Sequence, residues 1–142
     1  MDNSVRSGRR RLIRKGDDIK VARWAAGKLG CVFVQPYTAW GITDENNRMV
    51  GAVVFNDWAD KNVELTFVGR GSLSRRLFKE IAHYAFTANG VARVTVRTRA
   101  KNLYVRRIIE KAGFKPEGTL RCWYGDDDAI VYGMTKQECR FL

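Results

Sequence analysis

Hydrophobic residues recur along the chain with two different periods, and each period predicts one type of secondary structure. From Val63 to Phe67 every second residue is apolar, which predicts a half-buried strand. After a break at Gly69 to Ser72, apolar residues follow at helical spacing, and Asn89-Gly90 ends the predicted helix. The residues on the apolar face of this helix are Leu73, Leu77, Ile81, Tyr84 and Ala85.

The same two periods predict the remaining elements. In chain order these are a first strand or an extended arm around Leu12 and Ile13, a helix from Asp17 or Asp18 to Gly30, strands at 38–43, 49–55, 93–99, 115–123 and 129–135, and a helix from Asn102 to Gly113 before the last two strands. The apolar side of the first helix is predicted to contain Ile19, Ala22, Ala25, Ala26 and Leu29. This order predicts a mixed α/β (α+β) domain whose centre is a parallel, right-handed strand–helix–strand unit.

The turn after the strand at 62–68 is a candidate anion site. It reads Gly69-Arg70-Gly71-Ser72, and Arg75 and Arg76 follow at the start of the helix. The first N–H groups of a helix lack partners within the helix, and the helix dipole places partial positive charge there. The sequence therefore predicts a phosphate or pyrophosphate site, although Ser72 as an ordinary N-cap explains the same residues.

The chain carries an excess of basic residues, with 26 Lys and Arg against 15 Asp and Glu and a formal net charge of +11. Such an excess favours partners that carry phosphates or carboxylates, such as nucleic acid, the ribosome, an acidic protein or a polyphosphorylated cofactor. Solvated surface side chains without a common partner are the alternative interpretation.

Composition argues against several classes of protein. No apolar run approaches the ~20 residues of a membrane span, and the N-terminus lacks the apolar stretch of a signal peptide, so a cytoplasmic location is expected. Cys31, Cys122 and Cys139 have no metal-ligand spacing and the chain has 1 histidine, so no metal site is predicted. The cysteines are expected to be reduced thiols in the core.

The run from Asn102 to Arg121 resembles the second conserved block of the GNAT superfamily of acetyl-CoA-dependent N-acetyltransferases. In that block an Asn opens a helix that ends in Glu-Lys-x-Gly-Phe, followed by Glu-Gly and an Arg. The closing stretch from Tyr132 to Leu142 is similar to the tail of the branch that contains the ribosomal-protein alanine acetyltransferases, and within it to small bacterial or phage-encoded members. The resemblance covers residues 10–142 as one domain and leaves 1–9 as a basic N-terminal arm. It implies a mostly antiparallel central sheet with a V-shaped splay between the fourth and fifth strands and helices on both faces.

The resemblance also implies that the chain binds acetyl-CoA. Backbone groups of Phe67 and Val68 and the side chain of Asn102 would contact the pantetheine arm, and Tyr104 and Arg106 would lie along the adenosine side. The expected pyrophosphate site consists of Arg70, Gly71, Ser72, Leu73, Ser74, Arg75 and Arg76. Ser72-Leu73-Ser74 stands where the family has Gly-x-Gly/Ala, and the serines either add hydroxyl donors or narrow the site.

Acetyl transfer to an amine needs a base for the amine proton, a donor to the oxyanion and a route for the thiolate to leave. Glu64 on the fourth strand is the expected base, and a surface ion pair with one of the many arginines is the alternative role. A backbone N–H near Val68 is the expected oxyanion donor. The family's usual tyrosine acid is replaced here by Ile109. The candidate acids are then Tyr104, Tyr124 and Tyr132.

The acceptor is expected to be a primary amine on a protein N-terminus, on a lysine or on a small molecule, and the enzyme is expected to be a monomer or homodimer. Asp126, Asp127 and Asp128 would either attract a cationic amine or form a solvated turn. The second hypothesis is a GNAT-fold protein with little catalysis that binds nucleic acid or a host protein. Its basic surface would contain Arg93, Arg97 and Arg99 with Arg9 to Arg11.

Overall fold

The structure is a computed structural model that describes residues 10–69 and 73–142. Its strands are β1 (Leu12–Arg14), β2 (Thr38–Thr43), β3 (Met49–Ala59), β4 (Asn62–Val68), β5 (Arg93–Arg99), β6 (Lys115–Leu120) and β7 (Ala129–Thr135). Its helices are α1 (Asp18–Leu29), α2 (Arg75–Ala82) and α3 (Leu103–Ala112). A π-helical segment, His83–Ala88, continues α2, and a 3₁₀ turn, Lys136–Glu138, follows β7.

The described strands form one seven-stranded sheet in the order β1-β2-β3-β4-β5-β7-β6. Strand β4 runs parallel to β5, while the pairs β1–β2, β2–β3, β5–β7 and β6–β7 are antiparallel. The predicted mixed, mostly antiparallel sheet with a central strand–helix–strand unit is confirmed. Paired residues of β4 and β5 run from Asn62 and Arg93 to Leu65 and Val96, and each strand then continues beyond the ladder. The ladder thus ends in mid-strand, where the resemblance places the splay.

The described part of the chain divides into two compact units, and the first consists of the described residues within Met1–Asn56 and Thr66–Ser74. In this unit α1 lies against β2, and one cluster of buried side chains consists of small or β-branched residues. They are Val21, Ala22, Ala25, Ala39, Ala52, Val54 and Val68. Small side chains let the helix approach the sheet closely, and Trp24, Phe33, Tyr37 and Met49 pack around them.

The predicted buried face of α1 is confirmed at Ala22 and Ala25 and is wrong at Ile19 and Leu29. Ile19 and Leu29 are 55% and 45% exposed, whereas Val21, Ala22 and Ala25 are buried. The helix therefore buries a narrow stripe at spacings of one, three and four residues, and the larger apolar side chains lie outside it. The predicted end is confirmed, because Gly30 adopts the left-handed conformation and its N–H donates to the carbonyl of Ala26.

The second unit contains Asp57–Leu65 and Arg75–Leu142. Strand β5 pairs along its full length with β7, which places Val94 opposite Met134 and Val96 opposite Tyr132. These four side chains are buried, as are the side chains on the apolar sides of α2 and α3. The buried helix residues are Leu77, Phe78, Ile81, Ala82, Ile109 and Ala112.

Three element boundaries differ from the predictions. Strand β3 continues to Ala59 because the polar Asn56 is satisfied inside the sheet, where its Oδ1 accepts a 2.9 Å hydrogen bond from the hydroxyl of Thr66. Strand β6 ends at Leu120, because the carboxylate of Asp128 accepts the N–H of Cys122 and closes a turn there. Helix α2 begins at Arg75, and the predicted cap Ser72 lies outside the described residues.

The predicted burial of the cysteines is wrong. Cys31 and Cys122 are exposed and Cys139 is half-buried, and all are free thiols. They lie in connecting segments rather than on the apolar faces of strands or helices. Among the residues with described positions, no helix combines the length and the apolar character of a membrane span. The predicted arm at 1–9 lies outside the described residues.

Candidate functional site

The parallel register of β4 and β5 brings a carboxylate and a guanidinium together. Glu64 is paired with Thr95, and side chains two residues apart on a strand point to the same face, so Arg97 lies beside Glu64. The Nε atom of Arg97 donates a 2.7 Å hydrogen bond to Oε2 of Glu64. A terminal nitrogen of the same guanidinium lies 3.6 Å from Oδ2 of Asp57. The ion pair predicted as the alternative role of Glu64 is therefore present.

Glu64 is more enclosed than a surface carboxylate, since its side chain is 12% exposed. Burial raises its pKa above the ordinary value, whereas the hydrogen bond and the charge of Arg97 act in the opposite direction. The neighbouring carboxylate of Asp57 raises the pKa further. Because the net direction is upward, Glu64 binds a proton more strongly than an ordinary glutamate, and this property suits a general base.

The loop between β6 and β7 covers the arginines of β5. The ring of Trp123 lies 4.6 Å from the guanidinium carbon of Arg97, and the ring of Tyr124 lies 4.4 Å from that of Arg99. Arg99 also donates a 2.8 Å hydrogen bond to Oδ1 of Asp126. Aromatic faces attract cations, so the loop is held on the strand by two stacked pairs and one ion pair.

The three aspartates of this loop have partners within the second unit. Asp126 pairs with Arg99, Asp127 accepts the N–H of Lys101, and Asp128 accepts the N–H of Cys122. These contacts agree with the alternative in which the three aspartates form a turn. Their carboxylates stabilise the conformation of the loop.

Arg93, at the start of β5, forms another ion pair across the sheet. A terminal nitrogen lies 2.6 Å from Oε1 of Glu117, which sits at a bulge in β6. The pair passes over Gly133 of β7, where a Cβ atom would lie 2.6 Å from Oε1 of Glu117. The absence of a side chain at this position therefore makes room for the pair.

The predicted cofactor residues of α3 lie at and near its N-terminus. Asn102 caps the helix, as predicted, and its Oδ1 accepts a 3.2 Å hydrogen bond from the N–H of Val105. Tyr104 lies on the first turn and is 36% exposed. Arg106 points inward, donating a 2.8 Å hydrogen bond to the carbonyl of Ala100 and a 3.0 Å hydrogen bond to the hydroxyl of Tyr132.

Tyr132 completes a polar network between β7 and α3. Its side chain is fully buried, and its hydroxyl donates a 2.6 Å hydrogen bond to Oε2 of Glu110 while accepting from Arg106. Burial and the contact with Glu110 raise the pKa of Tyr132, and Arg106 lowers it. The network fixes α3 against the sheet, and a neutral tyrosine in it supplies both a donor and an acceptor.

The N-terminus of α2 offers groups suited to an anion. Arg75 and Arg76 are exposed in the first turn, where backbone N–H groups lack intrahelical acceptors. Arg76 also lies 3.5 Å from Glu80, one turn later. Leu73 and Ser74 precede the helix, with Leu73 half-buried and Ser74 exposed. These donors fit a phosphate, while Arg70, Gly71 and Ser72 of the predicted site lie outside the described residues.

The two predicted backbone positions of β4 lie in the first unit. Val68 is buried in its core and Phe67 is half-buried. The alternation therefore shifts at the end of β4, because Val68 rather than Phe67 is the better buried of the two.

Sequence reasoning missed Arg97, Asp57 and Trp123 as members of the Glu64 site. Arg97 belongs to the polar face of β5, which the alternation of residues 93–99 indicates. Its contact with Glu64 depends on the parallel register, and the contact with Trp123 depends on the conformation of a loop, neither of which hydrophobic spacing defines.

Residues 14–115 match the family model described as an acetyltransferase (GNAT) domain. No curated protein matches the chain.

Two solved structures illustrate the similarity in fold. One is a dodecameric spermidine N-acetyltransferase from Vibrio cholerae, with a TM-score of 0.72 and 11% identity, covering 89% of this chain and 94% of that chain. The other is a spermidine/spermine N-acetyltransferase from Vibrio cholerae in complex with manganese ions, with a TM-score of 0.71 and 13% identity, covering 92% and 95%. At these identities the similarity establishes a common fold.

Proposed function

The chain belongs to the GNAT acetyltransferase family, and on this premise we propose that Glu64 accepts the proton of a primary amine that the enzyme acetylates. Members of the family use acetyl-CoA as the acetyl donor. The observation that carries the proposal is the enclosed carboxylate of Glu64, held by Arg97 at 2.7 Å, with its pKa raised by burial.

A base is needed because the attacking amine carries an extra proton at neutral pH. A protein α-amine has a pKa near 7.7–8.0 and a lysine amine one near 10.4, so both are largely protonated at neutral pH or below and cannot attack a carbonyl. Bound acetyl-CoA supplies an acetyl group activated as a thioester. Glu64 takes up the proton of the amine, and its raised pKa makes it a stronger acceptor than an exposed glutamate.

The residues that hold the cofactor are proposed from the predicted set. Arg75 and Arg76 would bind phosphate oxygens at the N-terminus of α2, with Ser74 beside them, because a guanidinium keeps its charge and presents a fork of donors. Phe67 and Val68 would contribute backbone groups. Asn102 would contribute its amide N–H group, since its Oδ1 already accepts from Val105.

Two predicted roles are refined. For Arg106 we propose the positioning of α3 rather than a direct contact with the adenosine, because its donors already serve Ala100 and Tyr132. Tyr104 is retained as the candidate general acid, because its side chain is accessible on the first turn of α3.

For the acceptor we propose an amine of an acidic protein assembly, either an N-terminus or a lysine. A net charge of +11 disfavours the approach of a free polycation and favours a partner that carries negative charge. The similarity of the C-terminal stretch to ribosomal-protein alanine acetyltransferases supports an N-terminal amine. Because spermidine acetyltransferases have a similar fold, spermidine is the substrate with which the peptides are compared.

The alternative, a weakly catalytic protein that binds nucleic acid along β5, has less support. Its candidate arginines there are each paired with a carboxylate: Arg93 with Glu117, Arg97 with Glu64 and Arg99 with Asp126. Paired guanidinium groups release fewer counterions on binding phosphate, so this strand makes a poor phosphate-tracking surface.

The test combines binding with turnover. Isothermal titration with acetyl-CoA is expected to show saturable binding, and release of coenzyme A is then measured with an N-terminal peptide, a lysine peptide and spermidine. Glu64→Gln is expected to lower turnover about 100-fold at pH values where the amine is protonated, and by less where the amine is neutral. The matched control is Glu117→Gln, which removes another ion-paired carboxylate of the sheet. Absence of binding at millimolar acetyl-CoA, or equal effects of the two substitutions, would refute the proposal.

A further inference from the structure

Arg97 is held in three directions at once. Its Nε donates to Glu64 at 2.7 Å, a terminal nitrogen lies 3.6 Å from Asp57, and its guanidinium carbon lies 4.6 Å from the centre of the Trp123 ring. The guanidinium is planar, and all its N–H bonds lie in that plane. The Trp123 ring restricts displacement of the guanidinium toward it, while the two carboxylates restrict rotation of the guanidinium within its plane.

This arrangement differs from an ordinary surface ion pair. Arg97 and Glu64 are 25% and 12% exposed at their side chains, so solvent screens their interaction less than it screens an exposed pair. The Nε–H bond of Arg97 has a fixed direction because it lies in the rigid guanidinium plane. The hydrogen bond from this group therefore orients the carboxylate of Glu64. A lysine ammonium at the same position would supply charge without a fixed donor direction.

We propose that Arg97, held in place by Trp123, is a positioning residue that fixes the carboxylate of Glu64 in the orientation needed to accept the amine proton. The inference rests on the proposed role of Glu64 as the base. It assigns the loop between β6 and β7 a part in the reaction, because this loop supplies the ring that orients Arg97.

The strand itself provides a matched control. Arg99 lies two residues after Arg97 on the same face, and it has an aromatic partner, Tyr124, and an acidic partner, Asp126. Arg97 lowers the pKa of Glu64 through its hydrogen bond and its charge, whereas the carboxylate that Arg99 contacts is that of Asp126. Substitutions at 97 and 99 therefore remove similar interactions, but those at 97 alone remove the contact with the proposed base.

The first measurement is independent of activity. Titration of the Glu64 carboxyl carbon by NMR in the full chain, assigned by comparison with Glu64→Gln, reports its protonation directly. Arg97→Gln is expected to raise the titration midpoint by about one pH unit, because it removes an opposite charge and a hydrogen bond to the ionised form. Arg99→Gln is expected to leave the midpoint unchanged. An unchanged midpoint in Arg97→Gln would overturn the inference.

The second measurement separates orientation from charge. Arg97→Lys keeps the charge and is expected to lower kcat about tenfold, with KM for acetyl-CoA unchanged, because misplacement of a catalytic group by a fraction of an ångström slows the chemical step. Trp123→Leu is expected to act in the same direction, and Trp123→Phe, which keeps an aromatic face, is expected to restore most of the loss. Arg93→Lys, at the start of β5 and paired with Glu117, serves as the control that retains the parent kcat.

The outcomes distinguish the role of Glu64 from that of Arg97. Full activity of Glu64→Gln would refute Glu64 as the base, and with it the positioning role of Arg97. A strongly impaired Glu64→Gln together with parent-like kcat values in Arg97→Lys and Trp123→Leu would overturn the positioning role alone. A fall in kcat that Trp123→Phe restores would support it.

Discussion

The backbone of Gly69 lies directly against the carbonyl group of Val50, with no room for a side chain between them. A Cβ atom at Gly69 would collide with the Val50 oxygen and lie 2.6 Å from Cα of Gly51. The residue also has a φ of +93°, which L side chains rarely adopt. This close approach fixes the position of the backbone directly after β4.

Gly69→Ala is therefore expected to lower the free energy of unfolding by about 3 kcal/mol, from backbone strain and overpacking together. Urea unfolding followed by circular dichroism measures the change. The control is Gly27→Ala in α1, where a Cβ meets open space and the substitution is expected to stabilise the helix by about 0.5–1 kcal/mol. Equal changes in the free energy of unfolding at the two positions would contradict the close contact between Gly69 and Val50.

Tyr132→Phe tests the polar network between β7 and α3. The substitution removes the group that donates to Glu110 at 2.6 Å and accepts from Arg106, and both partners lose a hydrogen bond. The expected loss of stability is about 1–2 kcal/mol. Thermal and urea unfolding measure it, with Tyr37→Phe in the first unit as the control. A loss no larger than that of the control would show that the network adds nothing to stability.

Glu138 should make the stability of the C-terminal turn depend on pH. Its pKa is lowered to about 2 by Lys115, whose Nζ lies 2.7 Å away, and by the N–H of Thr135. Because the folded pKa lies below the unfolded value near 4.5, the stabilisation is present above pH 4.5 and is lost as the pH falls toward 2.

Glu138→Gln should accordingly be less stable than the parent at pH 7, and the difference should shrink between pH 4.5 and 2. Unfolding curves across this range provide the measurement. Lys115→Gln, which removes the main cause of the shift, should flatten the same part of the profile. A difference that is constant over the range would exclude this linkage.

Ser74→Asp tests the proposed phosphate site at the start of α2. A carboxylate beside bound phosphates is expected to weaken coenzyme A binding at least about tenfold through like-charge repulsion. Isothermal titration measures the affinity, and Thr87→Asp introduces the same charge at an exposed position in the π-helical segment. Unchanged affinity in Ser74→Asp would remove this residue from the site.

The sequence predicted those elements whose local pattern is unambiguous. Strands β2, β5 and β7 match the predicted bounds, because alternating or continuous apolar positions define a strand buried on one or both faces. Helix α3 also matches, because Asn102 and Gly113 supply a side-chain cap and a left-handed terminus. These features depend on residues close together in the chain.

The missed features depend on residues far apart. Glu64 and Arg97 are separated by 33 positions, and their contact follows from the register of two parallel strands. The stacking of Trp123 on Arg97 requires the turn that ends β6, which side-chain hydrogen bonds of the loop determine. Helix periodicity likewise indicated that α1 has an apolar side, but the small residues that fit closely against the sheet decided which side is buried.

The ion pair that crosses Gly133 links three strands through positions 93, 117 and 133. A side chain at 133 would displace the pair, and loss of the pair would leave a shallow trough over β7. In the evolution of related sequences these three positions should therefore vary together, with glycine at 133 kept wherever an arginine and a glutamate face each other across it.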